Sequence, residues 1–193
     1  MDERGWTLIF LRPKFFPMSI ITGRGDSGDT DLLFGKRIAK TSLRIEALGN
    51  VDELNAALGL ARAAAHDDEW ISLIDRLQSL LIGLMGQLAY LPEDEAKYIE
   101  KKYAAIATVD LEWIVAEAHR YEAQGIKFTG WAKPGAEGSL ARAGLDFSRA
   151  VARRAERSVL ALHESGEPVP EVVRLFFNRL SDLLWILARV ADE

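Results

Sequence analysis

The sequence predicts an all-α protein, an up-and-down bundle of about five helices, and three observations lead to that prediction. The chain has 193 residues, of which 49% are hydrophobic and 27% charged, a composition typical of one compact domain. From residue 43 onward, apolar residues recur at helical spacing, with almost no strand alternation. Glycine and proline stand at the ends of several of these periodic segments, where helices stop and start.

The helices are predicted from the periodicity of apolar residues, and the second is the clearest. Its apolar residues are spaced alternately four and three positions apart, in the narrow stripe of a bundle helix. In chain order, the five segments are 42–65, 70–88, 110–123, 137–164 and the stretch that begins at Pro170. A shorter helical piece is expected at 93–103. One side of the fourth segment is expected to carry Leu140, Phe147, Val151, Ala155, Val159 and Leu162.

Composition excludes several classes of function. The chain has no cysteine, which excludes disulfides, thiolate metal sites and a cysteine nucleophile, and its three histidines leave little for a zinc site. A net charge of −5 argues against general nucleic-acid binding. The apolar run 6–11 is too short for a signal peptide, and no segment approaches the roughly 20 apolar residues of a membrane helix. We therefore expect a cytoplasmic protein.

Two glycine-containing loops interrupt the helical pattern, at 22–30 and 125–138. In the first, the glycines let backbone amides turn toward an anion, and Thr and Ser hydroxyls add donors. Lys40 follows shortly and could neutralise a polyphosphate. The loop is not a Walker A motif, because no Gly-Lys-Ser/Thr follows at the required spacing. The alternative is a flexible lead-in to the first helix.

Arginines are stacked along the fourth helix. Arg149, Arg153 and Arg157 are four positions apart and share one face, whereas Arg154 is expected to point toward the apolar side. Such a face in an acidic protein suits phosphates or the carboxylates of a partner, and Glu156 is placed to hold Arg153. The alternative is a solvated, ion-paired face.

Polar residues on two other helices are further candidates. On the last helix, Asn178, Ser181 and Asp182 share a stripe beside the apolar one, which indicates a shared interface or a site. A polar network between helices is the alternative. Asp52 on the first helix could pair with an arginine across a helix or subunit contact, or lie in an ordinary exposed acidic turn.

Together these segments resemble the PduO-type ATP:cob(I)alamin adenosyltransferases. Three stretches match the family's opening motifs in order: 22–30, 35–40 and 44–55. Its closing motifs, R-x-x-x-R-R-A-E-R and N-R-L-S-D, are matched at 149–157 and 178–182. The resemblance covers about residues 20–190. It departs from the usual pattern at Gly23, Phe34 and Lys133, where the family commonly has arginine, glycine and an apolar residue.

The resemblance implies a ferritin-like, cobalamin adenosyltransferase-like bundle that assembles as a homotrimer with active sites between subunits. It implies that cob(I)alamin attacks C5′ of MgATP, giving adenosylcobalamin and triphosphate. The cobalt is itself the nucleophile, so the protein positions the nucleotide and stabilises the leaving triphosphate. It also implies a single domain at 19–193, and we expect residues 1–18 to be a dispensable extension.

Site residues follow from the matched motifs. The residues implied to bind ATP are Thr22, Arg24, Gly25, Asp26, Gly28, Thr30, Lys40, Arg153, Glu156 and Asn178. The residues implied to act in catalysis are Arg153, Asn178, Asp52 and Arg149, with Asp52 pairing with Arg149 of the neighbouring subunit. Magnesium would come with ATP near Asn178, with no metal site formed by the protein alone. The residues implied to face the corrinoid are Trp131, Phe128 and Asp182; Trp131 would press on its lower face and keep dimethylbenzimidazole off cobalt.

Two other functions stay open from the sequence. One is a non-catalytic protein on the same bundle that binds or delivers a corrinoid. The other is a helical scaffold whose arginine face meets an acidic partner. For the enzyme, a transient contact with a reductase or with an adenosylcobalamin-dependent enzyme is expected, and contact with nucleic acid or membrane is not.

Overall fold

The computed structural model describes residues 21–127, 131–136 and 138–191. Within them lie two three-residue strands, β1 (Asp29–Asp31) and β2 (Arg37–Ala39), and six α-helices. The helices are α1 (Leu43–Ala64), α2 (Asp68–Leu88), α3 (Glu95–Glu100), α4 (Thr108–Glu122), α5 (Leu140–Glu164) and α6 (Glu171–Leu187). The predicted all-α bundle is confirmed, with five long helices and the short α3 in the place of the expected 93–103 piece. In the described part of the chain, no helix combines the length and the apolar character needed to cross a membrane.

Side-chain caps fix where three of the long helices begin, α1, α2 and α5. The Ser42 hydroxyl accepts a hydrogen bond from the Ile45 amide, and the Asp67 carboxylate accepts from two amides in the first turn of α2. α5 begins at Leu140, three residues later than predicted. Gly138 has a φ of +72°, which is outside the helical region, and the Ser139 hydroxyl then caps α5.

The core lies along α5, which packs against both α1 and α6; α2 flanks α1, and α4 flanks α6. At the closest approach, a Cβ on Gly144 would stand 2.9 Å from the Ala61 Cα, so glycine lets the α1 and α5 backbones come together. The predicted apolar side of α5 is wrong at two positions, since Leu140 is 77% exposed and Phe147 51% exposed. Helical spacing puts both at the edge of a buried stripe formed largely by small residues.

A hairpin that the sequence did not predict precedes α1. β1 and β2 pair antiparallel, with Thr30 opposite Ile38. The turn between them docks on the end of α2, where the Leu33 amide donates to the Ala89 carbonyl at 2.7 Å. The glycine-rich loop is therefore held at the end of the bundle where α2 ends and α1 begins.

Candidate functional site

The glycine-rich loop is folded back on itself and covered by a cation. The Gly28 amide donates to the Gly25 carbonyl at 3.2 Å, and the Lys40 amide donates to the Gly28 carbonyl at 2.8 Å. The Lys40 side chain lies across Gly25, because a Cβ added there would stand 2.8 Å from Nζ. A side chain at this position would displace the ammonium group from where it lies. The loop and Lys40, predicted to act together, thus lie together.

Other residues of the predicted nucleotide loop differ in solvent exposure and in whether they are already ion-paired. Thr22 and Asp26 are exposed at its start, whereas Thr30 is half-buried in β1. The Arg24 guanidinium is bound to Asp31 at 2.9 Å, and Arg37 binds the same carboxylate at 3.0 Å and the Arg24 carbonyl at 2.8 Å. Arg24 is thus part of an ion-paired cluster that braces the loop. Neither Asp31 nor Arg37 was singled out from the sequence.

An aromatic cluster supports the hairpin from outside. Phe34, in the turn, has a φ of +61°, a left-handed conformation that is costly for a side-chain-bearing residue. Its ring stacks on Tyr103 with centroids 6.4 Å apart, and Tyr98 packs edge-on against Tyr103. Burial raises the pKa of the Tyr98 hydroxyl, which stays protonated and donates to the Ala104 carbonyl at 2.5 Å. The aromatic contacts compensate the strain at Phe34.

The arginine face of α5 is open. Arg153 and Arg157 are exposed and Arg149 is half-buried, with its Nε buried and without a hydrogen-bond partner in the described residues. The structure shows no ion pair between Arg153 and Glu156 within the described chain. Arg154 does not point toward the core as predicted: it is exposed and paired with Glu53 of α1. An acidic residue on the neighbouring helix draws it outward.

Further predicted site residues are Asp52 on α1 and the polar residues of α6. Asp52 is exposed on α1, next to the Glu53 that pairs with α5. On α6, Asn178 and Asp182 are exposed; Arg179 donates to the Asn178 amide oxygen at 2.7 Å and lies 3.7 Å from the Asp182 carboxylate. Both α6 residues therefore point outward from the bundle and are available to a ligand.

Within one chain, the hairpin and the arginine face of α5 lie apart and do not form a single site. The hairpin lies beyond the start of α1, and the Arg154–Glu53 pair fixes which part of α1 faces the arginines. From Leu43 to Glu53, the helical rise amounts to roughly 15 Å. The predicted ATP-binding residues thus form two groups on the surface of the chain.

Trp131 lies beside a cavity at the other end of α5. Its side chain is fully exposed and lines a cavity of about 430 Å³ together with Pro134, Arg149 and Trp185. Trp185 also lines an adjoining cavity of about 550 Å³ that contains Asp182. Trp131 and Asp182, both predicted to face the corrinoid, are thus linked by Trp185. Phe128 lies outside the described residues.

A buried ion pair that sequence analysis missed forms the floor of this region. Arg189 donates to the Asp146 carboxylate at 2.7 Å, and their side chains are 6% and 8% exposed. The Arg189 guanidinium also lies 4.8 Å from the Trp185 ring, a cation–π contact. The sequence signal was a lone arginine at the end of the apolar run of α6, but its partner lies 43 positions away.

The comparisons with known proteins agree with this architecture. Residues 20–191 match the family described as cobalamin adenosyltransferase, which is nine-tenths of the chain. The chain belongs to the cobalamin adenosyltransferase family. The family predicted from the sequence motifs is therefore confirmed.

Among its curated relatives, a cobalamin adenosyltransferase from Cupriavidus metallidurans is 38% identical over 175 residues, covering 90% of this chain and 88% of the relative. The corrinoid adenosyltransferase PduO of Salmonella typhimurium is 35% identical over 91% of this chain, which spans about half the length of that relative. A solved variant of the PduO-type ATP:corrinoid adenosyltransferase from Lactobacillus reuteri, complexed with cobalamin and ATP, superposes with a TM-score of 0.76 at 27% identity. That match covers 89% of this chain and 92% of the other.

Proposed function

We propose that this protein is an ATP:corrinoid adenosyltransferase that moves the 5′-deoxyadenosyl group of ATP to cob(I)alamin. The cobalt electron pair forms the Co–C5′ bond, the C5′–O bond breaks, and its electrons leave with triphosphate. The observation that carries the proposal is the glycine-rich loop with Lys40 folded across Gly25, in a chain that also presents an open arginine face. Both features suit a polyphosphate that gains negative charge as it leaves.

Within this function, the triphosphate is bound by the loop 22–30 and Lys40. Arg153 and Asn178 contact the nucleotide, and Glu156 orients the basic residues. The exposure of Lys40, Arg153 and Asn178 supports this assignment, because groups that serve an incoming substrate must be reachable. Arg24 contributes differently, since its charge is already compensated by Asp31 and it braces the loop.

Magnesium enters with ATP near Asn178. In the described residues, no group of three His, Asp or Glu side chains is placed to hold a metal ion. A single exposed amide oxygen suits Mg²⁺ that is bound mainly by phosphate oxygens and water. The Asn178 side chain fits that limited role, provided that Arg179 releases its oxygen.

The corrinoid lies in the cavity lined by Trp131, Arg149 and Trp185, which extends toward Asp182. Trp131 presses on the lower face of the corrin and keeps dimethylbenzimidazole off cobalt, which makes the cobalt easier to reduce. Its complete exposure supports the role, because an unpacked indole is free to cover a ligand.

The active site is shared between subunits of a homotrimer, with Asp52 of one subunit paired with Arg149 of its neighbour. The distance of roughly 15 Å along α1 between the hairpin and the arginine face supports this arrangement. A neighbouring subunit would supply the second group of ATP-binding residues. We further propose that the protein is cytoplasmic and that residues 1–18 are dispensable, which a truncation starting at Met18 tests through its activity and trimer formation.

The test is an anaerobic assay with chemically reduced cob(I)alamin and MgATP, following the appearance of adenosylcobalamin. The wild type is expected to turn over. Arg153→Ala should lower kcat/KM at least a hundredfold, equivalent to about 2.7 kcal/mol of transition-state stabilisation. Arg154→Ala is the matched control, because it removes the adjacent arginine that is paired with Glu53, and it should retain activity.

Each outcome bears on the proposal. Equal activity of both variants would refute the assigned arginine face. Absence of turnover in a wild-type protein that still binds corrinoid would refute the enzyme and favour a corrinoid-binding or delivery protein.

A further inference from the structure

A second cavity adjoins the proposed corrinoid cavity and is strongly cationic. It has a volume of about 280 Å³ and shares Trp131, Asp146 and Arg189 with its neighbour. Its other charged residues are all basic: Lys127, Lys133 and Arg142. Asp146 is the one acid among the described residues that line it.

That acid does not cancel the basic charge. Asp146 is already bound to Arg189 at 2.7 Å, and both side chains are more than nine-tenths buried. The stretch 127–142 carries three cations in its sequence against the single acid Glu137. The start of α5, capped by Ser139 in the cavity wall, adds the positive end of a 25-residue helix. Among the described residues that line the cavity, basic side chains therefore outnumber acidic ones.

The floor of the cavity is formed by Arg189, whose guanidinium is held in place by several contacts. The Arg189 guanidinium is fixed by Asp146, by the Trp185 carbonyl at 3.1 Å and by the Trp185 ring. Its Nε is buried and has no hydrogen-bond partner in the described residues. A preorganised cationic floor with two lysines in the cavity wall suits a phosphate group.

The position of the cavity indicates which phosphate it suits. Arg142 precedes Arg153 by 11 residues of α5, roughly 16 Å along the helix, so the cavity is separate from the proposed triphosphate contacts of this chain. It lies instead directly beside Trp131. Cobalamin carries a phosphodiester in the nucleotide tail that ends in dimethylbenzimidazole, and this tail must move aside when its base leaves cobalt.

We propose that this cavity binds the phosphodiester of the displaced nucleotide tail, so that the enzyme prefers complete cobalamin to corrinoids that lack the tail. The proposal rests on the proposed function. Lys127 and Lys133 supply the charges that reach the phosphate, and the Asp146–Arg189 pair supplies the floor.

The test compares cob(I)alamin with cob(I)inamide, which has the corrin ring without the nucleotide tail. In the Lys127→Ala/Lys133→Ala double variant, KM for cobalamin should rise about tenfold, while KM for cobinamide and both kcat values change less than twofold. Lys101→Ala, which removes an exposed lysine elsewhere, is the matched control. The Lys127→Arg/Lys133→Arg variant should restore the wild-type KM for cobalamin.

Two results would overturn the proposal. One is an equal rise of both KM values, which would make the lysines part of the corrin wall. The other is an unchanged KM for cobalamin. Inorganic phosphate should raise the wild-type KM for cobalamin alone; if it binds while cobalamin and cobinamide are used equally well, the cavity is a general anion site.

The tail site can be tested separately from the proposed adenosyltransferase activity. A protein without turnover still permits the same comparison by equilibrium binding of the two corrinoids, measured through quenching of tryptophan fluorescence. The double variant should then lose about tenfold in affinity for cobalamin and keep its affinity for cobinamide. Loss of both affinities, or of neither, would refute the tail site whether or not the protein is an enzyme.

Discussion

Two arginines in the described part of the chain, Arg44 and Arg153, differ in how they are partnered. Arg44 is 4% exposed, donates to the Leu88 and Tyr90 carbonyls and is paired with Glu167. Arg153, in the middle of α5, is exposed and has no ion pair within the described chain. The same side chain thus stabilises the fold in one region and is left available to a ligand in the other.

The surroundings explain the difference. Arg44 lies in the first turn of α1, where it meets the carbonyls at the end of α2, and the last carbonyls of a helix lack intrahelical donors. The guanidinium satisfies these carbonyls and interacts favourably with the negative end of the helix. In the described residues Arg153 donates to no helix-end carbonyl and forms no ion pair, so its guanidinium is open to a group from outside the chain.

The largest expected effect is on stability and comes from replacing Arg44, the buried arginine. Arg44→Ala should lower the free energy of unfolding by about 3–5 kcal/mol, because two carbonyls and the Glu167 carboxylate lose their partner. Urea denaturation measures the change. Arg44→Met combined with Glu167→Gln should lose less, since no charge is left unpaired. A loss below 1 kcal/mol for Arg44→Ala would mean that the buried arginine contributes no more to stability than the exposed ones.

The second prediction tests whether Asp52 of a neighbouring subunit pairs with Arg149 on the exposed arginine face. Asp52→Ala and Arg149→Ala should each lower the corrinoid kcat/KM about tenfold, with the denaturation midpoint unchanged. When the two variants are unfolded together and reassembled, mixed assemblies of the proposed trimer contain some sites with both native residues. Activity should then exceed the sum of the separate variants. No recovery in trimers shown to be mixed would argue against the pair across the interface.

The smallest effect is expected for an arginine that is exposed and yet paired within the chain. Arg154→Ala removes the ion pair with Glu53, whose two side chains are each almost half exposed. Solvent screening limits such a pair to about 0.2–1 kcal/mol. Thermal denaturation in low and high salt should show a small difference that vanishes at high salt. A loss comparable to that of Arg44→Ala would mean that exposure does not separate the two arginines.

The helices could be predicted because their signals are local. The alternating spacing of α2 and the Ser42 cap lie within a few residues of the structure that they specify. The hairpin was missed because three residues are too few for an alternating pattern to be recognised. Phe147 was placed on the wrong side because small residues such as Ala152 carry little hydrophobic signal, although Ala152 is fully buried.

The candidate site could be predicted only where a motif contains all of its members. The glycine-rich loop and Lys40 are close in sequence and were found. The Asp146–Arg189 pair joins α5 to the residue just past α6, and no local pattern links the two. The outward position of Arg154 likewise depends on Glu53, an acid on another helix.

One pairing has a consequence for the order in which the protein matures on the ribosome. Ile126 forms an isolated bridge with Val190, and the Lys127 amide donates to the Arg189 carbonyl at 2.9 Å. The segment that leads into the Trp131 loop is thus anchored by Arg189 and Val190, which follow the end of α6. The four earlier long helices have left the exit tunnel before this anchor exists. This anchor can form only after residue 190 has emerged, so the segment before Trp131 is among the last parts of the domain to acquire its native form.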